Sequence, residues 1–477
     1  MNRAKDRRAK IICTLGPASS SDAVITELLA AGMDCARLNM SHGADEDQRA
    51  RLRAVRRASE KLGLPCAVMV DLGGTKPRVG VLKKPITLEE GRRYAFSSDG
   101  AGDPNVIPVD YPLHEDVRPG EAILLDDGAL ELRVDEVRGR TVTATVIRGG
   151  VLASQKGINL PDTQVSAPSL TEQDRQHIAF GVAEGADFFA LSFVRKPEDM
   201  IAAREEIRRC GGDVPVIAKI EKRQAVERLD EILAVSDGVM VARGDLGVEL
   251  PPEEVPLVQK DIIVAANRRL VPVITATQML ESMVEHARPT RAEASNVANA
   301  VWDGSDALML SAETAIGRDP AGAVRMMDRI IRAAERQPGA FLSRVRSEHR
   351  TTEDTSGTIS HAACTMATVD PRVKAIVAFT RSGYTARLLS MDRPPVPILS
   401  ISPDPAVRNR CALYWGTIAA ISDESEGLLS MTITADEQAR AVLGLREGDF
   451  IIIAGGWPRD LAATTNLLKV HRIGDPA

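Results

Sequence analysis

Gly238-Val239-Met240-Val241-Ala242-Arg243-Gly244-Asp245-Leu246-Gly247 is a run of five small or apolar residues that ends in a charged turn. A short apolar run bounded by such a turn reads as a buried strand. Gly244 lets backbone N–H groups approach an anion, as helix starts do for carboxylates and phosphates. The same pattern recurs on either side. Upstream lie runs at 188–193 and 215–220, the second closing on Lys219-Ile220-Glu221. Downstream lie 272–277, with Thr277-Gln278 at its end, and 307–311, with Ser311 and then Glu313. Nearer the N-terminus are 10–15, 34–40 and 66–72. Amphipathic stretches at 22–31, 44–62, 197–210 and 253–269 separate most of them. Alternation of this kind implies parallel strands with right-handed crossovers. Eight units suggest a (β/α)8 TIM barrel, whose active site lies at the C-terminal strand ends. An open doubly wound sheet is the competing architecture.

At 477 residues the chain is long enough for about three domains. Lys and Arg total 60 against 66 Asp and Glu, a net charge of −6. That balance gives no basic footprint for nucleic acid, though it leaves room for a local anion pocket. No apolar run approaches the ~20 residues of a membrane span. The run at 11–15 is too short for a signal-peptide core. The six cysteines (13, 35, 66, 210, 364, 411) form no Cys-x-x-Cys pair, so they read as free thiols in a reducing cytoplasm.

Residues 79–158 break the rhythm. They carry Asp126-Asp127-Gly128 and Gly149-Gly150 turns and period-two alternation in Leu130-Glu131-Leu132-Arg133-Val134. This is an inserted small β-domain, splitting the barrel into 1–78 and 159–342. After a helix at 321–336 and a polar linker at 343–356, strands at 375–379, 398–401, 417–421 and 450–454 make 343–477 a C-terminal α/β domain.

Pooled at one mouth, the strand-end residues suit phosphoryl or enolate chemistry. Glu221 and Asp245 are hard oxygen ligands for Mg²⁺. Lys219 and Glu221, two apart on a strand, share a face. Arg37 can grip a phosphoryl group bidentately. Each motif alone has a plainer reading: a surface Lys–Glu pair, a Gly-Asp turn, a Ser41-His42-Gly43 loop with no triad order behind it. Met279, Met283, Met326 and Met327 read as core filler. The force lies in the ordered set.

At these residues the chain resembles the pyruvate kinase family. The stretches that carry it are Lys10-Ile11-Ile12-Cys13-Thr14-Leu15-Gly16-Pro17-Ala18, Arg37-Leu38-Asn39-Met40-Ser41-His42-Gly43, Met240 to Gly247, Ala276-Thr277-Gln278-Met279-Leu280-Glu281-Ser282-Met283, Arg288-Pro289-Thr290-Arg291-Ala292-Glu293, and Met309-Leu310-Ser311-Ala312-Glu313-Thr314-Ala315. The resemblance covers nearly the whole chain. It implies phosphoryl transfer from phosphoenolpyruvate to ADP, giving pyruvate and ATP, with Mg²⁺ (or Mn²⁺) on Glu221 and Asp245. It implies that Lys219 stabilises the moving phosphoryl group and the enolate, and that Arg37 contacts the phosphoryl. Gly244, Asp245 and Thr277 would seat the substrate carboxylate, with Thr277 and Ser311 on the protonation side. Arg78, Asp127, Lys156, Asn39 and His42 would serve the nucleotide, the inserted β-domain closing as a β-barrel lid. A homotetramer, assembled partly through the C-terminal domain, is implied too.

Some positions depart from that pattern. Asn39, Ser41 and Asp71 match a monovalent-cation pocket, but Leu72 stands where many members have Thr and Lys76 where they have Glu. A fixed Lys76 ammonium in that pocket would replace K⁺, so the enzyme is expected to be K⁺-independent. Asp71 to Lys76 also mimics the phosphate loop of actin-like sugar kinases, but no second glycine-rich loop follows. Ala312 replaces a common Gly. Thr380, Ser382, Gly383 and Thr385 resemble an effector-phosphate loop before a helix. Trp457-Pro458-Arg459-Asp460-Leu461-Ala462 lacks the glycine that completes a fructose-1,6-bisphosphate site, which points to a different phosphorylated effector. The alternatives are another phosphoenolpyruvate barrel enzyme, such as a carbon–carbon lyase, and a catalytically dead paralogue acting as a metabolite-binding regulator.

Overall fold

The computed structural model describes residues 7–99, 106–336, 354–423, 427–457 and 464–476. Most of the expected linker and all but Trp457 of the 457–462 segment lie outside them. Eight short strands close a parallel barrel: β1 (Lys10–Leu15), β2 (Cys35–Asn39), β3 (Ala67–Asp71), β4 (Phe188–Leu191), β5 (Val216–Ile220), β6 (Gly238–Ala242), β7 (Val273–Ala276) and β8 (Ala307–Leu310). Each pairs with the next in sequence, and β8 returns to β1 with Met309 opposite Ile12. The sheet is therefore closed, and the open alternative is excluded.

Side-chain parity explains the barrel's two cores. Ile12, Cys35, Met69, Ala190, Ile217, Met240, Ile274 and Met309 fill the interior. Their neighbours Ile11, Cys13, Ala36, Val68, Val216 and Leu308 face outward into the helix layer. The strands are buried on both faces, as an α/β barrel requires. Met279, Met283 and Met327 are buried in the outer core and Met326 packs against it, as their spacing suggested. All six cysteines are free.

Between β3 and β4 the chain forms a curled, mostly antiparallel six-stranded sheet. Its order is Ile158–Asn159, Ala122–Leu125, Leu130–Arg138, Thr141–Arg148, Arg93–Ser97, Val106–Pro108. It has its own apolar core, including Phe96, Leu132 and Val142. The C-terminal unit is a five-stranded sheet in three layers. Ala375, Val377 and Phe379 face the helix Leu428–Leu443, while Ile376 and Ala378 face the helix Thr355–Val369. Its fifth strand, Leu467–Arg472, runs antiparallel at the edge. The sequence did not announce it, because Leu467-Leu468-Lys469-Val470-His471-Arg472 is only partly buried and lacks clean alternation.

This unit plugs the barrel floor. Leu413 joins the interior barrel core. Arg393 pairs with Asp306 at 2.7 Å, donates to the Gly304 carbonyl and lies over the Trp415 ring. Lys10 donates to the Thr417 carbonyl at 2.6 Å.

Candidate active site

One step above the apolar layer, the same inward parity presents polar residues: Thr14, Arg37, Asp71, Ser192, Lys219 and Ser311 follow Ile12, Cys35, Met69, Ala190, Ile217 and Met309 at two-residue spacing. The Lys219 ammonium lies 3.2 Å from Asp71 and 2.9 Å from Glu221, and donates to Ser192 Oγ at 2.7 Å. Arg37 donates from Nε to Asp71 at 2.5 Å and from Nη1 to Thr14 Oγ1 at 3.0 Å. Burial alone would lower the Lys219 pKa, but the charges of Asp71 and Glu221 outweigh it and hold the ammonium above its ordinary value. Burial likewise opposes ionisation of Asp71, yet Arg37 and Lys219 pull its carboxyl below the usual range. Glu221 shifts up, through burial first and then repulsion from Asp245 against the attraction of Lys219.

Glu221 and Asp245 are thus two carboxylates close enough at the mouth to repel each other. Among the described residues no group of three or more His, Cys, Asp or Glu forms a closed metal cage. Two carboxylates beside an open mouth fit Mg²⁺, which keeps waters and takes substrate oxygens. Glu221 is fixed by the Phe193 N–H at 2.7 Å, and Phe193 holds a left-handed backbone (φ 54°) to aim it. A cavity of about 960 Å³ opens on the Asp245 side, lined by Lys76, Asp127, Arg243, Gly244, Asp245 and Gln278, among others.

Lys76 corrects one expectation. Its ammonium bonds to Asp245 at 2.7 Å and Asp127 at 3.2 Å, and among the described residues not to Asn39, Ser41 or Asp71. Asp71 is already matched by Arg37 and Lys219. Lys76 thus bridges Asp127 of the inserted domain to Asp245. Burial lowers its pKa, but Asp245 and then Asp127 outweigh that, for a net upward shift. Because Asp71 ends β3, the sugar-kinase loop is excluded as well.

Thr277 leaves β7 with φ 66° and accepts the Gly244 N–H at 2.9 Å. Among the described residues, Ser311 Oγ is buried without a hydrogen-bond partner. Arg78 is exposed and donates to the Gln155 carbonyl, Lys156 pairs with Asp126 at 2.8 Å, and His42 is exposed on the loop after Asn39. Leu72 is buried, and the Ser41 N–H bonds to Asn39 Oδ1 at 3.2 Å. In the C-terminal unit, Gly383 (φ 88°) starts the helix Tyr384–Met391. Thr380 Oγ1 accepts the Gly383 N–H and Thr385 bonds to Thr465, so Ser382 is the exposed hydroxyl of the four-residue set.

Sequence reasoning missed Thr14 and Ser192 as site residues, and it placed Glu313 at the mouth without a role. The first two follow from counting inward parity along β1 and beyond β4. Glu313, 1 % exposed, accepts the N–H groups of Leu280 and Ser311 and so ties the ends of β7 and β8 together; nothing in its spacing shows that.

A closed (β/α)8 barrel with an inserted lid and a cation–carboxylate cluster at its C-terminal mouth defines a phosphotransferase of the TIM-barrel class. The family described as pyruvate kinase, barrel domain, matches residues 6–324, and pyruvate kinase, alpha/beta domain, matches 357–471. Pyruvate kinases from Mycobacterium intracellulare and Mycobacterium tuberculosis are each 44 % identical over 476 residues, covering 98 % of this chain and 99 % of theirs. The pyruvate kinase of Staphylococcus saprophyticus is 42 % identical over 486 residues, 98 % of this chain and 81 % of its own. The chain belongs to the pyruvate kinase family, and it is a glycolytic transferase by that membership.

Proposed function

We propose that the enzyme transfers the phosphoryl group of phosphoenolpyruvate to ADP and protonates the resulting enolate to pyruvate. The observation that carries this is the Lys219 ammonium, buried between Asp71 and Glu221 with Arg37 alongside. A phosphoryl group in flight needs positioning and charge neutralisation, and this cluster offers both. Lys219 and Arg37 face the phosphoryl. The Gly244 and Asp245 backbone with Thr277 seats the carboxylate. Thr277 and Ser311 stand on the protonation side, where the unpaired Ser311 hydroxyl is free to hold a proton or a water. Glu221 and Asp245 would hold Mg²⁺ or Mn²⁺, which would supply positive charge against the substrate's anionic oxygens. Arg78, Asp127, Lys156, Asn39 and His42 serve the nucleotide, and residues 79–158 close as the lid between barrel segments 1–78 and 159–342.

K⁺ independence belongs to the same proposal. Lys76 supplies a fixed positive charge at the mouth through Asp245, and Asp71 is already neutralised. The C-terminal unit, 343–477, carries an effector loop at Thr380, Ser382, Gly383 and Thr385 for a phosphorylated ligand. Its edge strand Leu467–Arg472, with Val470 exposed, supports assembly into a homotetramer. Free buried thiols support a cytoplasmic setting, and among the described residues no helix is long and apolar enough to cross a membrane. The test is pyruvate formation from phosphoenolpyruvate and ADP with Mg²⁺, with and without KCl at constant ionic strength. Turnover in both supports the reaction and K⁺ independence together. Turnover only with K⁺ discards the Lys76 role, and none in either condition, with or without phosphorylated activators, favours the regulator alternative.

A further inference from the structure

Arg243 is the first residue after β6, and at the cavity wall its guanidinium embraces the end of β7. Nε donates to the Ala276 carbonyl at 3.1 Å and Nη2 to the Thr277 carbonyl. Nη1 donates to Asn296 Oδ1 at 2.6 Å, and Nη2 also meets Met279 Sδ at 3.3 Å. Among the described residues it has no ion-pair partner. A mostly buried guanidinium whose donors go to neutral acceptors is an expensive arrangement, and a lysine could not reproduce its fork.

The clamped residue explains it. Thr277 is β-branched and sits at φ 66°, where such residues are outliers. In that conformation its Oγ1 accepts the Gly244 N–H at 2.9 Å, one residue from the guanidinium that grips its carbonyl. Asn296 anchors the far side: it sits on the helix Arg291–Asp303, fixed by a Thr290–Glu293 capping box, and its Nδ2 donates to the Gln278 carbonyl at 2.8 Å. The loop after β7 is thus held at three successive carbonyls, Ala276, Thr277 and Gln278.

We infer that Arg243, braced by Asn296, is a positioning residue that holds Thr277 in its strained conformation and so places the Thr277 hydroxyl against the substrate seat at Gly244. This rests on the proposed role of Thr277. The test is a double-mutant cycle on kcat and KM for phosphoenolpyruvate, with Arg243→Lys, Asn296→Ala and Thr277→Ala in the full-length chain. Arg243→Lys is expected to lower kcat by roughly 100-fold, the cost of a misplaced reacting group, with a smaller change in KM. In the Thr277→Ala background it is expected to cost almost nothing more, because its partner is gone. Asn296→Ala, the milder variant should Arg243→Lys misfold, is expected to give a smaller loss with the same non-additivity. Equal losses in both backgrounds would overturn the inference, since Arg243 would then act independently of Thr277. Unchanged turnover in Thr277→Ala alone would instead remove the proposed role of Thr277, and the inference with it. A parent chain without turnover would count against the proposed reaction itself.

Discussion

At the barrel floor, Arg393 and Asp306 meet at 2.7 Å with 1 % exposure each, while at the mouth Lys219 is shared between two carboxylates and a hydroxyl. Both ends bury charge, yet they complete it differently. On the floor, the cation from the C-terminal unit meets a carboxylate whose other oxygen accepts the Val273 N–H, and an indole ring covers the guanidinium. Leu413 closes the space above. At the mouth, Ser311 Oγ has no partner among the described residues, Asp245 keeps 29 % of its side chain in solvent, and Phe193 and Thr277 carry positive φ. The mouth keeps a carboxylate in solvent and a buried hydroxyl that a ligand can meet, whereas the floor, where Arg393 also carries a positive φ of 51°, buries its ion pair wholly between domains.

The largest expected effect breaks the mouth and spares the floor. Lys219→Met removes the cation nearest the proposed phosphoryl path and should lower kcat by ~10³–10⁵-fold, the range seen for charges that stabilise a moving phosphoryl group. Stopped-flow or coupled turnover assays measure it, with thermal melting alongside. Asp71 keeps Arg37, so the fold should survive. A variant that melts far earlier but retains kcat would show that the mouth cluster serves structure.

Arg393→Leu is the converse. It removes the cation facing the buried Asp306, which costs about 3–5 kcal/mol. Chemical denaturation should show that loss, with kcat of the folded enzyme changed less than about twofold because the chemistry sits at the other end. Arg393→Leu with Asp306→Asn should recover part of the stability, since the asparagine oxygen can still accept the Val273 N–H. A large fall in kcat without loss of stability would mean that the floor communicates with the site.

The two ends also differed in what the residues disclosed. Mouth residues sit at strand ends in runs whose chemistry is explicit, so Arg37, Lys219, Glu221, Asp245 and Thr277 were legible with the eight strands themselves. Arg393 lies in Met391-Asp392-Arg393-Pro394-Pro395, which reads as a polar turn; its burial depends on a partner 87 residues away, Asp306. Long-range docking leaves no local pattern. Lys76 shows the same limit at the mouth. Its charge and neighbourhood were readable, but which carboxylates it reaches depends on how the lid returns beside Asp245.

The smallest effect is a difference in pH slope between the two ends. Asp71, at the mouth, has its pKa depressed: burial opposes this, but Arg37 and Lys219 prevail. Its contribution to stability is full above the ordinary carboxylate value of about 3.9 and fades as pH falls through its lower folded value. Glu335, at the floor, accepts the N–H groups of Arg8 and Ala9, yet burial raises its pKa despite those bonds. Its ionisation therefore costs the folded state at neutral pH, and that cost disappears as pH falls through the raised value toward the ordinary one of about 4.3. Neither Asp71→Asn nor Glu335→Gln can titrate at the changed position. On acidification from pH 7 toward about 3.5, the stability gap between wild type and Asp71→Asn should shrink, while wild type should gain relative to Glu335→Gln. Each slope stays below the 1.4 kcal/mol per pH unit that one proton allows. Melting temperatures across that range, measured on the same three proteins, check the signs. Parallel slopes would mean that the two carboxylates feel the same environment, and the contrast between mouth and floor would then rest on geometry without an electrostatic counterpart.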